Sequence, residues 1–272
     1  MGRVSDLFDP KTAKEFDLFK DQLIVMIHTG SRGLGHQVCK DYVKKMKVKK
    51  QDFSIPDKQL ASVKIKSNLG KEYYQAMSCA ANYAWANRQI IMSKVENRLR
   101  KELNISSSSL GFRLLYDVCH NIAKFEEHLI NGNKKLLCVH RKGATRAFSA
   151  DRQELSAKFG QTGQPVIIPG DMGTESFLCV GREKAEKTTF GSSSHGAGRV
   201  MSRRKALRSA NFRNVSQKLS YNGIKVRAAK KNTVVEEMSA AYKNVEEVVN
   251  TMSEIGIIKK VARTKPLAVI KG

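Results

Sequence analysis

Acidic residues are scarce in this sequence: 25 Asp and Glu stand against 49 Lys and Arg over 272 residues, a formal net charge of +24. That imbalance favours polyanionic partners, nucleic acid first and an anionic membrane surface second, over a solvated basic face with no partner. Cysteines are few and scattered: Cys39, Cys79, Cys119, Cys138 and Cys179, an odd number with no Cys-x-x-Cys pair. This argues against a disulfide framework or a structural zinc site and fits a reducing compartment. No apolar run is long enough to cross a bilayer. Residues 1–11 lack the apolar core of a signal peptide, and Asp6 breaks the myristoylation pattern. The expectation is a soluble intracellular protein with no membrane partner. There is no Gly-x-Ser-x-Gly elbow and no acidic residue clearly paired with a histidine, which excludes a Ser-His-Asp hydrolase. Internal repeats, low-complexity stretches and linkers are absent too.

Hydrophobic residues make up 41% of the chain, enough for a substantial core. Short apolar runs alternate with helical patterns, which predicts an α/β or α+β fold in a single domain, 1–272. Residues 5–20 read as an amphipathic helix. The continuous run Leu23–Ile27 reads as a strand buried on both faces. A helix is expected over Gln37–Lys47, ending in the basic run Lys44–Lys50, and a long one over 70–100 with a small-residue centre suited to close packing. A loop is expected over 104–110, then a buried strand at Leu114–Val118, which delivers His120 into a helix, Ile122–Leu129. Strands follow at Leu136–His140, Pro165–Pro169 and Phe177–Gly181. A compact basic turn is expected over Arg141–Arg146 and a polar loop over 182–190. Further on come a helix from Met201, a strand at Ile224–Ala228, a helix at Ala241–Ile255 and a terminal apolar stretch, Pro266–Gly272.

Two glycine-rich loops carry histidines: His28–His36, and Gly191–Arg199 with His195 at its centre. Glycine lets backbone approach a ligand closely, and a helix after the second loop would bring its N–H groups to an anion. The alternative is a glycine turn with an incidental histidine. Neither loop is a Walker A sequence. From Arg199 to Lys231 there are eleven Lys and Arg and no Asp or Glu. Lys271 ends the last apolar strand, as a frayed terminus or a phosphate anchor. Of the six histidines, His28, His120 and His195 lie in glycine loops or at strand ends. Imidazole is a common ligand for manganese, iron or zinc, although an oxygen or thiolate donor normally completes such a site.

The stretches IHTGSRGLGHQ (27–37), SCAANYAWANR (78–88), DVCHNIAK (117–124), VHRKGATRAF (139–148), TGQPVIIPGDMGTESF (162–177), SHGAGR (194–199) and PLAVIKG (266–272) resemble the RtcB-type RNA-splicing ligase family. YKNVEEVVNT (242–251) is similar to its eukaryotic tRNA-splicing branch. The likeness covers this chain and the C-terminal half of the family. It implies an α/β fold with mixed sheets and helices around a metal and nucleotide cleft, N-terminally truncated. It also implies a GTP- and Mn(2+)-dependent ligase of RNA 2′,3′-cyclic-phosphate or 3′-phosphate ends with 5′-hydroxyl ends. His195 matches the nucleophile that carries GMP, and His28 and His120 match ligands of one of two manganese ions. His120, Asn121, Pro169, Gly170, Asp171, Met172, Ser176, His195, Gly196, Ala197, Gly198 and Lys271 match guanylate-contacting positions. The partners implied are RNA (tRNA exon halves), archease and a DEAD-box helicase, in nucleus and cytoplasm.

Several positions depart from the family pattern. Its Asp and Cys metal ligands and its Asn-His motif lie upstream of residue 1. Asp171 sets a carboxylate beside the expected nucleotide. Ser194 replaces the usual cysteine, Cys119 a common serine, and Ser149-Ala-Asp-Arg152 a proline pair. A truncated, catalytically impaired paralogue that binds RNA or a partner is the alternative reading.

Overall fold

A computed structural model of the chain describes residues 1–48 and 60–272. They form two compact units, residues 27–122 and residues 1–26 with 123–272. In order, the elements are β1 (Gly2–Leu7), α1 (Pro10–Glu15), β2 (Leu23–Ile24), α2 (Gly33–Val48), α3 (Asn68–Leu103), α4 (Ser107–Leu110), β3 (Asn121–Ile130), β4 (Asn133–Lys142), β5 (Ala144–Arg146) and α5 (Ala157–Gly160). There follow β6 (Pro165–Ile168), β7 (Ser176–Gly181), α6 (Glu183–Thr189), β8 (Ser192–Ser194), α7 (Arg203–Ser209), α8 (Phe212–Tyr221), β9 (Lys225–Ala228), α9 (Lys231–Glu236), α10 (Val245–Glu254), β10 (Ile258–Pro266) and β11 (Ala268–Lys271). The mixture of sheets and helices agrees with the expected α/β class. Among the described residues no helix is long and apolar enough to cross a membrane.

The larger unit is built on an antiparallel sheet of order β2-β1-β10-β7-β6. Its central strand, β10, is absent from the sequence reading. A bulge between Lys260 and Ala262 breaks the two-residue alternation there, so Val261 and Ala262 are both buried. Val166, Ile168, Phe177, Cys179 and Ile258 meet Ala185 of α6 and Val245 and Val249 of α10 in the main core. A second cluster joins Met172 to Leu219, Ile224 and Val234. In the smaller unit, α2 lies along α3, with Tyr42 and Tyr73 in ring contact at 5.3 Å. Ala80 and Ala84 of α3 are buried, and Gly35 of α2 comes close to Ala80, so the small-residue centre packs as expected.

The structure corrects other expectations. Residues 5–20 are not one helix: β1 pairs with β10, and Pro10 starts α1 behind an Asp9 cap. The Leu23–Ile27 run yields only the two-residue edge strand β2, with Leu23 66% exposed. Helix α2 starts inside the glycine loop, at Gly33, and Lys49 and Lys50 of its basic run lie outside the described residues. Residues 104–110 contain the short helix α4, capped by Ser106. Residues 114–118 form no strand. The expected helix Ile122–Leu129 is β3, which turns through Asn131 and Gly132, both at positive φ, into β4. Asn-Gly between alternating residues is a hairpin signal that the helix reading overlooked. Arg141 and Lys142 belong to β4, and only Gly143 turns before β5. The polar stretch 182–190 contains α6, where Lys187 pairs with Glu183 one turn away.

Two changes test this packing. A Cβ on Gly181 would lie 2.3 Å from the Ala147 carbonyl oxygen and 2.5 Å from that of Phe148. Gly181→Ala is therefore expected to cost more than about 2 kcal/mol in denaturant unfolding, because backbone cannot give way as a side chain can. Asp6 accepts from Arg263 Nε at 2.8 Å on the neighbouring strand. That bond, with one from Ser5, holds its carboxyl at about 2. Folding lowers this pKa, so the pair stabilises the fold above the ordinary carboxylate range and loses that effect as pH falls toward 2. In Arg263→Met the Asp6 carboxyl, followed by NMR, should titrate near the ordinary value of about 4.

Candidate functional site

His28 and His120, both in the smaller unit, meet with their Nε2 atoms 3.0 Å apart and their rings inclined at 76°. Helix α3 sets this geometry. The Asn87 amide donates to the Gly30 carbonyl at 2.9 Å, and Arg88 Nη1 donates to the Thr29 carbonyl at 3.1 Å. Arg88 Nε bonds both Asp117 oxygens, at 2.7 and 3.0 Å, and Nη2 reaches Cys119 Sγ at 3.6 Å. One guanidinium thus ties together both segments that carry a histidine. Burial acts against its charge, but Asp117 outweighs it and the pKa is raised.

Two imidazole nitrogens bound to one cation at right angles, each at about 2.1 Å, would stand about 3 Å apart. The pair therefore fits as part of a metal site. At 3.0 Å the two nitrogens are also within hydrogen-bond distance of each other, and among the described residues no group of three His, Cys, Asp or Glu that could hold a metal ion forms. Asn121 follows His120 as the first residue of β3 and is exposed.

In the larger unit, β5 and β8 pair in the register Ala144↔Ser194, Thr145↔Ser193, Arg146↔Ser192. This ladder delivers His195 over Gly143, where an added Cβ would meet the ring at 3.4 Å. The loop then folds onto Pro169. Ala197 N–H donates to the Pro169 carbonyl at 3.1 Å, and a Cβ on Gly196 would lie 3.2 Å from the same oxygen. Lys243 N–H closes the far side on the Gly198 carbonyl at 3.0 Å. His195–Gly198 and Pro169–Ser176, distant in sequence, are in this way one backbone cluster. Among the described residues, the hydroxyls of Thr145, Ser193 and Ser194 are buried without a hydrogen-bond partner. Buried polar groups are normally satisfied, so such hydroxyls mark a place where a polar ligand would be accepted.

The second loop is fastened from within. Ser176 Oγ accepts from Gly170 N–H at 3.2 Å, and Met172 is sunk in the second apolar cluster. The Asp171 carboxylate accepts from Gly173 N–H at 2.7 Å, from Thr174 Oγ1 at 2.9 Å and from Ser239 Oγ. An anion delivered to a following helix is not the arrangement found: α7 starts only at Arg203, where Ser202 already caps it.

Lys271 is no frayed end. Strand β11 runs parallel to β9 with Lys271 opposite Ala228, and its carbonyl accepts from Ala229 N–H at 3.0 Å. Its Nζ stands 4.0 Å from Glu237, whose carboxylate also takes Arg199 at 3.4 Å, Arg203 at 3.8 Å and the Tyr242 hydroxyl. Arg203 also lies 3.7 Å from Glu236, so three cations stand against two carboxylates and the cluster stays positive. Burial, then the Glu237 hydrogen bond, pushes Tyr242 up to about 12 despite Arg199. Of the eleven basic residues from 199 to 231, all but Arg199 are exposed. Arg88, Glu237 and Tyr242 were not singled out from the sequence. The one available signal was a charged Arg88 beside a run of alanines.

Asp171→Ala strands the Gly173 N–H and two hydroxyls, so it should destabilise the protein by about 1–3 kcal/mol in thermal or denaturant unfolding. An unchanged stability would contradict the turn-building role.

A family model described as tRNA-splicing ligase RtcB matches residues 1–272, the whole chain. The chain is 48% identical over 271 residues to a tRNA-splicing ligase RtcB of Methanococcus maripaludis, covering 99% of this chain and 56% of that protein. It is 49% identical over 271 residues to that of Archaeoglobus fulgidus, with the same coverage of 99% and 56%. The protein of the same name from Nanoarchaeum equitans is 48% identical over 270 residues, again with 99% and 56% covered. These relatives are archaeal and give no link to the eukaryotic branch. The chain spans a little over half of their length. Matched along its whole length and nearly half identical to such relatives, the chain belongs to the RtcB family of tRNA-splicing ligases.

Proposed function

We propose that the chain belongs to an RNA ligase of tRNA splicing. The enzyme joins a 3′-phosphate end, opened from a 2′,3′-cyclic phosphate, to a 5′-hydroxyl end with GTP as co-substrate. The observation that carries this reading is the backbone cluster of His195–Gly198 and Pro169–Ser176. It sets an imidazole beside buried, unsatisfied hydroxyls in a protein rich in positive charge. A ring nitrogen of His195 attacks the α-phosphate of GTP. The N–P bond forms as the bond to the bridging oxygen breaks, and pyrophosphate leaves with that electron pair. GMP then passes to the RNA 3′-phosphate, which restores the imidazole. The 5′-hydroxyl finally attacks that phosphorus, loses its proton and displaces GMP. Splitting the reaction in this way replaces one difficult displacement with easier ones.

Gly196, Ala197 and Gly198 offer backbone to the guanylate, together with Pro169, Gly170, Asp171, Met172 and Ser176. Lys271 offers charge. His28 and His120 would hold manganese, which supplies Lewis-acid polarisation of phosphate oxygens when bound. The exposed basic residues between 199 and 231 suit an RNA backbone. Archease and a DEAD-box helicase as partners, in nucleus and cytoplasm, complete the reading on the family resemblance. One observation favours a second reading, RNA binding without ligation: the described residues supply two metal donors and no third.

The decisive experiment incubates the chain with α-labelled GTP and Mn(2+), beside His195→Ala, and resolves the products by denaturing electrophoresis. The ligase reading expects an acid-labile label on the wild-type chain and none on the variant. Absence of label on folded wild-type protein would sink guanylylation by this chain and leave RNA binding, insensitive to His195→Ala, as the surviving function.

A further inference from the structure

The hairpin of β3 and β4 carries a buried ion pair that the proposed chemistry does not use. Arg141 Nη1 and Nη2 each donate to one oxygen of Glu126, both at 2.8 Å, and both side chains are at most 2% exposed. His128 Nε2 lies 3.3 Å from the same carboxylate, and Arg146 Nη1 lies 3.8 Å from it. A bidentate pair fixes the plane of the guanidinium as well as its place.

Nε and Nη2 of Arg141 also reach the chain just before His195. Its Nη2 donates to the Phe190 carbonyl at 2.9 Å and to the Gly191 carbonyl at 3.3 Å, and its Nε donates to Ser192 Oγ at 3.0 Å. Phe190 and Gly191 are consecutive left-handed residues, with φ 51° and 59°. For phenylalanine that conformation is unfavourable and persists only where surrounding contacts over-determine it. A Cβ on Gly191 would lie 2.4 Å from the Phe148 ring, so the turn is closed on that side as well. From this turn β8 runs directly to His195.

We infer that Arg141, oriented by Glu126, is a positioning residue for His195: it holds the left-handed turn at Phe190–Gly191 and so aims the strand that presents the imidazole. This rests on the reading of His195 as nucleophile. Arg141 touches no reacting atom in that scheme; it acts through the backbone of residues 190–192.

Two variants of the full chain test it. Arg141→Lys keeps a charge opposite Glu126 but cannot form the fork. The double variant Glu126→Leu/Arg141→Met removes both charges, so neither is left buried alone. Amide hydrogen exchange is measured for residues 191–197 and for β6 and β7, alongside GTP affinity and the rate of labelling at His195. The inference expects faster exchange at 191–197 in both variants, with β6 and β7 unchanged. It also expects labelling about 10- to 100-fold slower with GTP affinity held, the pattern of a displaced reacting group. Unaltered exchange at 191–197 overturns it, as does wild-type labelling speed in a variant whose turn has loosened. General loosening that includes β6 and β7 also counts against it, since the pair would then be merely structural. Should the wild-type chain take no label, the nucleophile reading fails separately, and selective exchange at 191–197 alone decides whether Arg141 holds the turn.

Discussion

The larger unit's site depends on one backbone hydrogen bond, from Ala197 N–H to the Pro169 carbonyl. It joins a loop that leaves β8 to a loop that leaves β6, and each loop is otherwise anchored in different material. Met172 roots one in apolar packing, and the β5–β8 ladder roots the other. Both segments are fastened mostly through main chain and buried side chains. The histidine and the nearby N–H groups can therefore be presented with little left to rearrange. Preorganisation of this kind lets fixed donors stabilise charge that develops on a bound group without first rearranging.

Charge follows the same economy. Around Glu237 one carboxylate gathers Arg199, Arg203 and Lys271, with Glu236 also beside Arg203, while the Tyr242 hydroxyl stays protonated against it. The carboxylate sets the direction of the cations without cancelling them. Asp171 also has a structural explanation: its oxygens are occupied by Gly173, Thr174 and Ser239. In the smaller unit Arg88 orders both histidine-bearing segments from the middle of α3.

How much of this could be read from sequence depended on whether the signal was local. Runs such as Pro165–Ile168 and the 36-residue helix α3 announce themselves through period and composition. The glycines at 196 and 198 and the three loop histidines stood out for the same reason. Strand β10 did not, because a bulge and interleaved lysines erase its alternation. Strand β3 reads as a helix over Ile122–Leu129, since its charged and apolar residues suit either period. Arg88, Arg141 and Glu237 were invisible in their roles. Their partners lie 29 to 59 residues away for Arg88 and 15 to 51 for Arg141, and Glu237 reaches 38 residues back to Arg199. Nothing in a local window distinguishes such residues from surface charges.

The exposed cations of the 199–231 segment have a consequence that geometry alone does not express. No acid interrupts them, so a polyanion lying along that band would shed its own condensed counterions as it settled. The entropy of those released ions would then drive association, and ionic strength would set how long the polymer stays. Contacts of this sort hold a phosphate backbone without reading its bases.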